Sequence, residues 1–500
     1  MILKINKFIL NFLSNFGFQA IVAISGLILP PLIIKNYGSE INGLLASLKQ
    51  TVSYMAIVEA GIGAAAVAAL YKPLSDNNIL LQNRILATTK LFYNKSGCVF
   101  SILLIVISSS IFLFDLVSLD SASVILLIMG GATALDLFLI GKFRVYLVAS
   151  KNNHIMMNVQ SLVAAFNFAL TYIFIKYNQS IYTVVGLMCV SSWLKFIFLY
   201  FYFKLNFPLI QFRIDVDVHT VEISQRWDAL THQIAGLVVY NTPIILVASM
   251  CGLKEASVYS IYAFVFSSIS LFLSTLSNGT QAFFAKHIVE NDLFLLNKSF
   301  SRFEQIYYFS IFIVYTTAAV LIDSFLKIYT NGLNDANYFL PLLALLFVIN
   351  GVLDNLRAPG VVLIISAGHF RETKNRAIIE AAINVICSLI FIKLFGMYGA
   401  VLGSICSYIY RVLDIIQYTS TEILNEKVAF RVKLISLLTI YSIFCYLVIM
   451  HLLEFSAISF LRWFLDGVIC FAVLCFAFSG LYFFCNKSIF IKNTSMYTKR

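Results

Sequence analysis

The chain has 500 residues, 60% of them hydrophobic and 12% charged, with a mean hydropathy of +0.89 and a formal net charge of +11. No soluble domain hides that much apolar surface, so the bilayer must be the solvent for most of it. The apolar runs are about 20 residues long, twice what a barrel strand needs, which excludes a closed barrel and predicts an all-α polytopic membrane protein.

Hydropathy predicts about 14 transmembrane helices, at residues 10–34, 41–71, 91–114, 118–141, 155–175, 181–203, 228–250, 256–284, 303–326, 338–367, 375–395, 397–418, 430–452 and 460–485. The first is too long and too polar at its end for a cleaved signal peptide, so it is expected to stay in the mature chain. Its Pro30-Pro31 pair should kink it, as Pro243 should kink the seventh. The second span is one of the two longest, which are expected to protrude or break. It carries Lys49 and Glu59, the latter beside the flexible run Ala60-Gly61-Ile62-Gly63-Ala64, where Gly61 and Gly63 allow close helix contact. Asp136 lies in the fourth span, Asn167 in the fifth and Lys195 in the sixth. A charged linker at 204–227 follows, with Arg213, Asp215, Asp217, Glu222 and Arg226. The tenth span is the other long one. It holds Asp354 and Arg357, just ahead of Pro359-Gly360, which should interrupt or bend it. Asn384 lies in the eleventh span, Arg411 and Asp414 in the twelfth. The i,i+3 spacing of Asp354 with Arg357, and of Arg411 with Asp414, lets each pair bridge on one helix face.

With the N-terminus inside, the cytoplasmic connectors and tails collect 26 of the 35 Lys and Arg, while outer connectors hold Lys35, Lys176, Lys254, Lys327, Lys393 and Arg462. This positive-inside bias predicts cytoplasmic termini and reads the basic balance as topology. No Lys/Arg cluster is interleaved with aromatics as nucleic-acid binding would require. Eight of the nine cysteines, Cys485 among them, lie in spans as small apolar residues, and Cys251 reaches an outer turn alone.

The spans repeat. Residues 158–189 and 375–406 align without a gap at an offset of 217, with 11 of 32 positions identical, including Asn167/Asn384, Ile173–Lys176 against Ile390–Lys393, Gly186/Gly403 and Cys189/Cys406. Further matches at offsets of 212 to 215 pair Pro31 with Pro243, Glu40 with Glu255, and Leu80–Asn83 with Leu295–Lys298. The expected organisation is a six-helix lobe at 1–203, the linker at 204–227, a second six-helix lobe at 228–418, and two further helices with a tail at 419–500. Both lobes start on the same face, so they are parallel repeats, the construction of many secondary transporters.

No P-loop, G-x-S-x-G, H-E-x-x-H or EF-hand pattern occurs, and no connector offers room for a soluble catalytic domain. An enzyme, a resident metal and an organic cofactor are therefore not expected. Charges within spans are the informative residues, because burying one is costly unless it is paired or hydrated. Lys49, Lys195 and Arg357 are candidates to bind an anionic group. Arg357 stands out, mid-span beside the expected helix break. Glu59, Asp136, Asp354, Arg411 and Asp414 are candidates for a charge network or for carrying a coupling H+ or Na+. The competing reading is structural: Lys195 and Arg411 can snorkel, Asp414 can neutralise Arg411, and Asn167 and Asn384 can bond a neighbouring helix.

The chain also resembles a known family. Pro31, Tyr37-Gly38, Glu40 and Gly43-Leu44 are similar to the ending of span 1 in bacterial polysaccharide transporters. Glu59-Ala60-Gly61-Ile62-Gly63 resembles their D-x-G-x-G, with Glu for the usual Asp. Ser366-Ala367-Gly368-His369, then Asn375, Glu380, Asn384, Gly396, Gly399 and Gly403, resembles their signature over spans 10 to 12. The family is that of the Wzx-type O-antigen and capsule-unit flippases, in the multidrug/oligosaccharidyl-lipid/polysaccharide exporter superfamily. The resemblance implies flipping of a polyprenyl-diphosphate-linked oligosaccharide to the periplasmic leaflet of the bacterial inner membrane. It implies a cationic cavity between lobes, with a polysaccharide polymerase and a chain-length regulator as partners. A lipid II flippase, a MATE-like drug exporter and a membrane polysaccharide polymerase or ligase are the competing functions. The last commonly needs a large outer loop, which this chain lacks.

Overall fold

The computed structural model describes residues 7–60, 62–113, 121–212, 226–278, 280–290, 292–452 and 459–497. Gly61 and the linker residues Arg213, Asp215, Asp217 and Glu222 lie outside them, as do the side chains of Arg226 and Cys485. The described residues form helices and turns without a strand. The chain divides into two compact units, residues 1–260 and 261–500.

The first unit contains α1 (Lys7–Tyr37), α2 (Ser39–Met55), α3 (Ile62–Ser75), α4 (Ile79–Leu113), α5 (Ala122–Leu135), α6 (Gly141–Ala149), α7 (Asn153–Lys176), α8 (Ile181–Asn206) and α9 (Arg226–Met250), and the start of α10 (Leu253–Asn278). The second contains the rest of α10, then α11 (Gln281–Val289), α12 (Leu293–Tyr329), α13 (Pro341–Leu356), α14 (Ala358–Ala367), α15 (Phe370–Phe395), α16 (Met397–Tyr418), α17 (Ala429–Leu452) and α18 (Phe460–Tyr497). Among the described residues, thirteen helical stretches are long and apolar enough to cross a membrane. The expected span at 41–71 is not one of them. It is divided into the 17-residue α2 and the 14-residue α3 around a 3-10 turn, Ala56–Glu59. Ala60 then turns extended (ψ 133).

Span 10 is likewise broken, at Arg357, between α13 and α14. Pro359 has no N–H to donate to the Asn355 carbonyl four residues back, so the helical ladder is interrupted there. At the offset of 217, the segment Leu353–Arg357 aligns with Asp136–Ile140, which is a π-helical turn between α5 and α6. Both repeats thus carry a backbone irregularity at the same position in their fourth span. Pro30 and Pro31, by contrast, sit within α1 without ending it.

The two aligned segments of the repeat are helical hairpins, α7–α8 and α15–α16. In the first unit α1 packs along α7, while α2 contacts α1, α4, α5 and α9. Near the start of α2, a side chain at Gly43 would collide with the Leu253 backbone. Asn42 Nδ2 there donates to Ser257 Oγ at 2.8 Å. In the second unit α17 and α18 pack on α12.

Candidate functional site

In the first unit, Lys49 is the only exposed residue of α2 between Ile41 and Met55. Four helices, α1, α4, α5 and α9, pack against α2. Among the described residues, its ammonium has no hydrogen-bond or ion-pair partner. An ammonium at this depth is tolerable only when hydrated or bound to an anion.

Glu59 ends the 3-10 turn and is held by two groups. Tyr93 Oη donates to Glu59 Oε1 at 3.1 Å, and Arg144 of α6 forms an ion pair with the same oxygen. Arg144 Nη2 also donates to Tyr93 Oη at 3.2 Å. Tyr93 is buried between two glycines: a Cβ at Gly141 would strike its ring and one at Gly63 would crowd its hydroxyl. The third constellation pairs Lys195 Nζ of α8 with Asp136 Oδ2 at 2.5 Å. Asp136 opens the π-helical turn, and its Oδ1 is buried without a hydrogen-bond partner.

The second unit links six of its charges in one continuous chain. Arg357 Nη2 meets Asp354 Oδ1 at 2.6 Å, and its Nη1 meets Glu380 Oε1 at 2.6 Å. Glu380 Oε2 accepts from Arg411 Nε at 3.2 Å, and Arg411 Nη1 donates to Asp414 Oδ2 at 2.8 Å. Arg376 closes the series on Asp414 Oδ1. The Arg357 guanidinium also stacks on Tyr408, 4.7 Å from the ring centroid. Three arginines and three carboxylates cancel. All except Arg376 are nearly inaccessible, which makes the set a clasp tying the α13–α14 break to the α15–α16 hairpin. A separate buried cluster joins α17 to this unit: Arg431 bonds Glu304 at 2.8 Å, Ser420 at 2.8 Å and Glu426 at 3.0 Å.

The structure thus brings together Lys195 with Asp136, and Asp354 and Arg357 with Arg411 and Asp414, the two pairs bridged by Glu380. It joins Glu59 to Arg144, which hydropathy places just past the end of a span, and leaves Lys49 without a charge partner. Arg144, Arg376 and Arg431 were not among the residues singled out from the sequence. Their signal, a cation within a turn of a span end, does not distinguish an interfacial anchor from an inward-turned partner. Asn384 donates to Ser404 and Ser407 of α16, at 3.2 and 3.3 Å, the packing role expected of it. The Oδ1 of Asn167, its repeat counterpart, is buried without a hydrogen-bond partner. Among the described residues, no group of three or more His, Cys, Asp or Glu is placed to hold a metal ion.

No protein-family model matches the sequence, and no curated protein is significantly similar to it. Solved structures do match. The lipid II flippase MurJ in an inward closed conformation is similar at a TM-score of 0.68 and 15% identity, over 95% of this chain and 99% of that one. An inward-facing multidrug resistance MATE family transporter of the MOP superfamily is similar at a TM-score of 0.65 and 11% identity, over 82% of this chain and 98% of that chain. Its outward-facing counterpart gives a TM-score of 0.56 at 12% identity, over 87% and 97%. At these identities the likeness speaks for the fold: this chain is a multi-pass membrane protein with the fold of MOP-superfamily transporters.

Proposed function

We propose that this chain is a lipid-linked oligosaccharide flippase. It moves a polyprenyl-diphosphate-linked polysaccharide repeat unit from the cytoplasmic to the periplasmic leaflet of the bacterial inner membrane by alternating access, with both termini cytoplasmic. The observation that carries the reading is Lys49, exposed and, among the described residues, without a counter-charge, on a helix packed against four others. A diphosphate and its sugars are too polar for hydrocarbon, while the polyprenyl tail can stay in lipid. Such a cargo needs a hydrated cation on its path. The motifs shared with polysaccharide transporters, and the fold shared with a lipid II flippase, support the same reading.

Lys49 is the first contact for the diphosphate in this proposal. Lys195 and Arg357 already hold carboxylates, so each would bind the anion only by releasing Asp136 or Asp354. Glu59 and Asp136 are the acids proposed to take up H+ or Na+, Asp136 when that exchange frees it and Glu59 when it parts from Arg144. A drug exporter for organic cations would call for an accessible carboxylate without a cation. Glu59, Asp136, Asp354, Glu380 and Asp414 each have one.

The test is transport of a polyprenyl-diphosphate oligosaccharide in proteoliposomes, read by access of an impermeant lectin to the far leaflet. Lys49→Ala should lose transport and Lys49→Arg should keep most of it. Full transport by Lys49→Ala would contradict the reading. Collapse of the proton or sodium gradient should slow the wild type if Glu59 or Asp136 carries an ion.

A further inference from the structure

The arginines among the described residues differ in how fully they are engaged; Arg376, for one, bonds through Nη1 alone and lies over the Tyr418 ring. Arg431 and Arg357 engage all three guanidinium nitrogens: Arg431 with Glu304, Ser420 and Glu426, and Arg357 with Asp354 through Nε and Nη2 and with Glu380 through Nη1. Their side chains are 2% and 15% exposed. Arg144 is different. Its Nη2 alone is engaged, by Glu59 and Tyr93, and its side chain is 41% exposed. Among the described residues, its Nε and Nη1 have no acceptor. A guanidinium is a rigid fork of five donors that matches phosphate oxygens two at a time, so one half-used and open to water has capacity for such a ligand.

We propose that Arg144 is a second anion-binding position of the first unit, receiving the diphosphate of the transported lipid through Nε and Nη1. This rests on the flippase reading and adds a residue to it. Glu59 and Tyr93 are positioning residues. Tyr93, fixed between Gly63 and Gly141, sets where the guanidinium lies, and Glu59 compensates its charge until the anion arrives. Glu59 stands ten residues along the chain from Lys49, about 15 Å at the helical rise. Arg144 and Lys49 are therefore successive stations for one anionic group, not two ligands of a single phosphate.

The experiment titrates inorganic pyrophosphate by calorimetry into the full chain in nanodiscs of zwitterionic lipid, with thermal unfolding as a folding check. Arg144→Lys keeps the charge facing Glu59 but loses the fork, and should weaken binding about tenfold. Glu59→Gln frees the guanidinium and should tighten binding several-fold, a gain that a merely structural ion pair would not give. Lys49→Ala should leave a residual site that Arg144→Lys then removes. Wild-type affinity in both Arg144→Lys and Glu59→Gln, with all binding lost in Lys49→Ala, overturns the assignment of Arg144 and leaves the Lys49 reading intact. No pyrophosphate binding by the wild type contradicts that reading itself. Loss of the Arg144-dependent part on adding phosphatidylglycerol assigns Arg144 to lipid headgroups and overturns its role toward the cargo.

Discussion

The hairpins α7–α8 and α15–α16 carry the same sequence repeat but are packed differently. Gly186 and Gly403 are the same repeat position. A Cβ at Gly186 would meet open space, whereas one at Gly403 would run into the Ser388 backbone of the facing helix. The first hairpin turns through several residues, with Asn178 at φ 54 and Ser180 capping α8, while the second turns on Gly396 alone. Charge follows packing. Arg376, Glu380, Arg411 and Asp414 of the tight hairpin align with Val159, Val163, Leu194 and Ile197 of the loose one. One unit therefore ties most of these ionisable residues into a largely buried clasp, while in the other, among the described residues, Lys49 and half of Arg144 have no protein partner. A duplicated fold can hold its shape with one copy's charges and present the other's to a ligand.

Breaking the clasp should have the largest effect. Arg357→Ala removes the buried cation that Asp354 and Glu380 share, which should cost about 3–5 kcal/mol and be seen as a lowered unfolding temperature and poor yield. An unchanged melting curve would mean that the clasp does not hold the second unit together. The glycine pair gives the next largest effect and a difference in sign. Gly403→Ala should destabilise by about 1–3 kcal/mol through overpacking. Gly186→Ala should instead stabilise by about 0.5–1 kcal/mol, because Gly is a poor helix former and nothing blocks the methyl. Equal effects at the two sites would remove the packing contrast. The smallest effect belongs to Lys195→Ala. Asp136 is 39% exposed and can rehydrate, so the loss should stay below about 1 kcal/mol.

Much of this architecture was legible in the sequence. The spans follow from apolar runs, and both long segments expected to protrude or break, at Glu59–Gly61 and at Pro359-Gly360, contain a break, because Gly and Pro act locally. The i,i+3 bridges Asp354–Arg357 and Arg411–Asp414 were equally accessible, being set by helix geometry alone. What could not be read was the pairing between helices. Nothing in the spacing says that Glu380 would stand between Arg357 and Arg411, or that Asp136 would meet Lys195. The π-helical turn at Asp136–Ile140 also had no sequence marker comparable to Pro359. Arg144 was hidden by a hydropathy boundary at residue 141, although the helical stretch continues to Ala149.

The central claim is that Lys49 of α2 stands in water. It is tested most directly by Lys49→Cys in a background with the nine native cysteines replaced, labelled in intact membranes and vesicles of both orientations. The account predicts rapid reaction with charged, membrane-impermeant thiosulfonates. Reaction with lipid-soluble maleimide alone, from either side, would place Lys49 against lipid or in sealed protein and contradict the account.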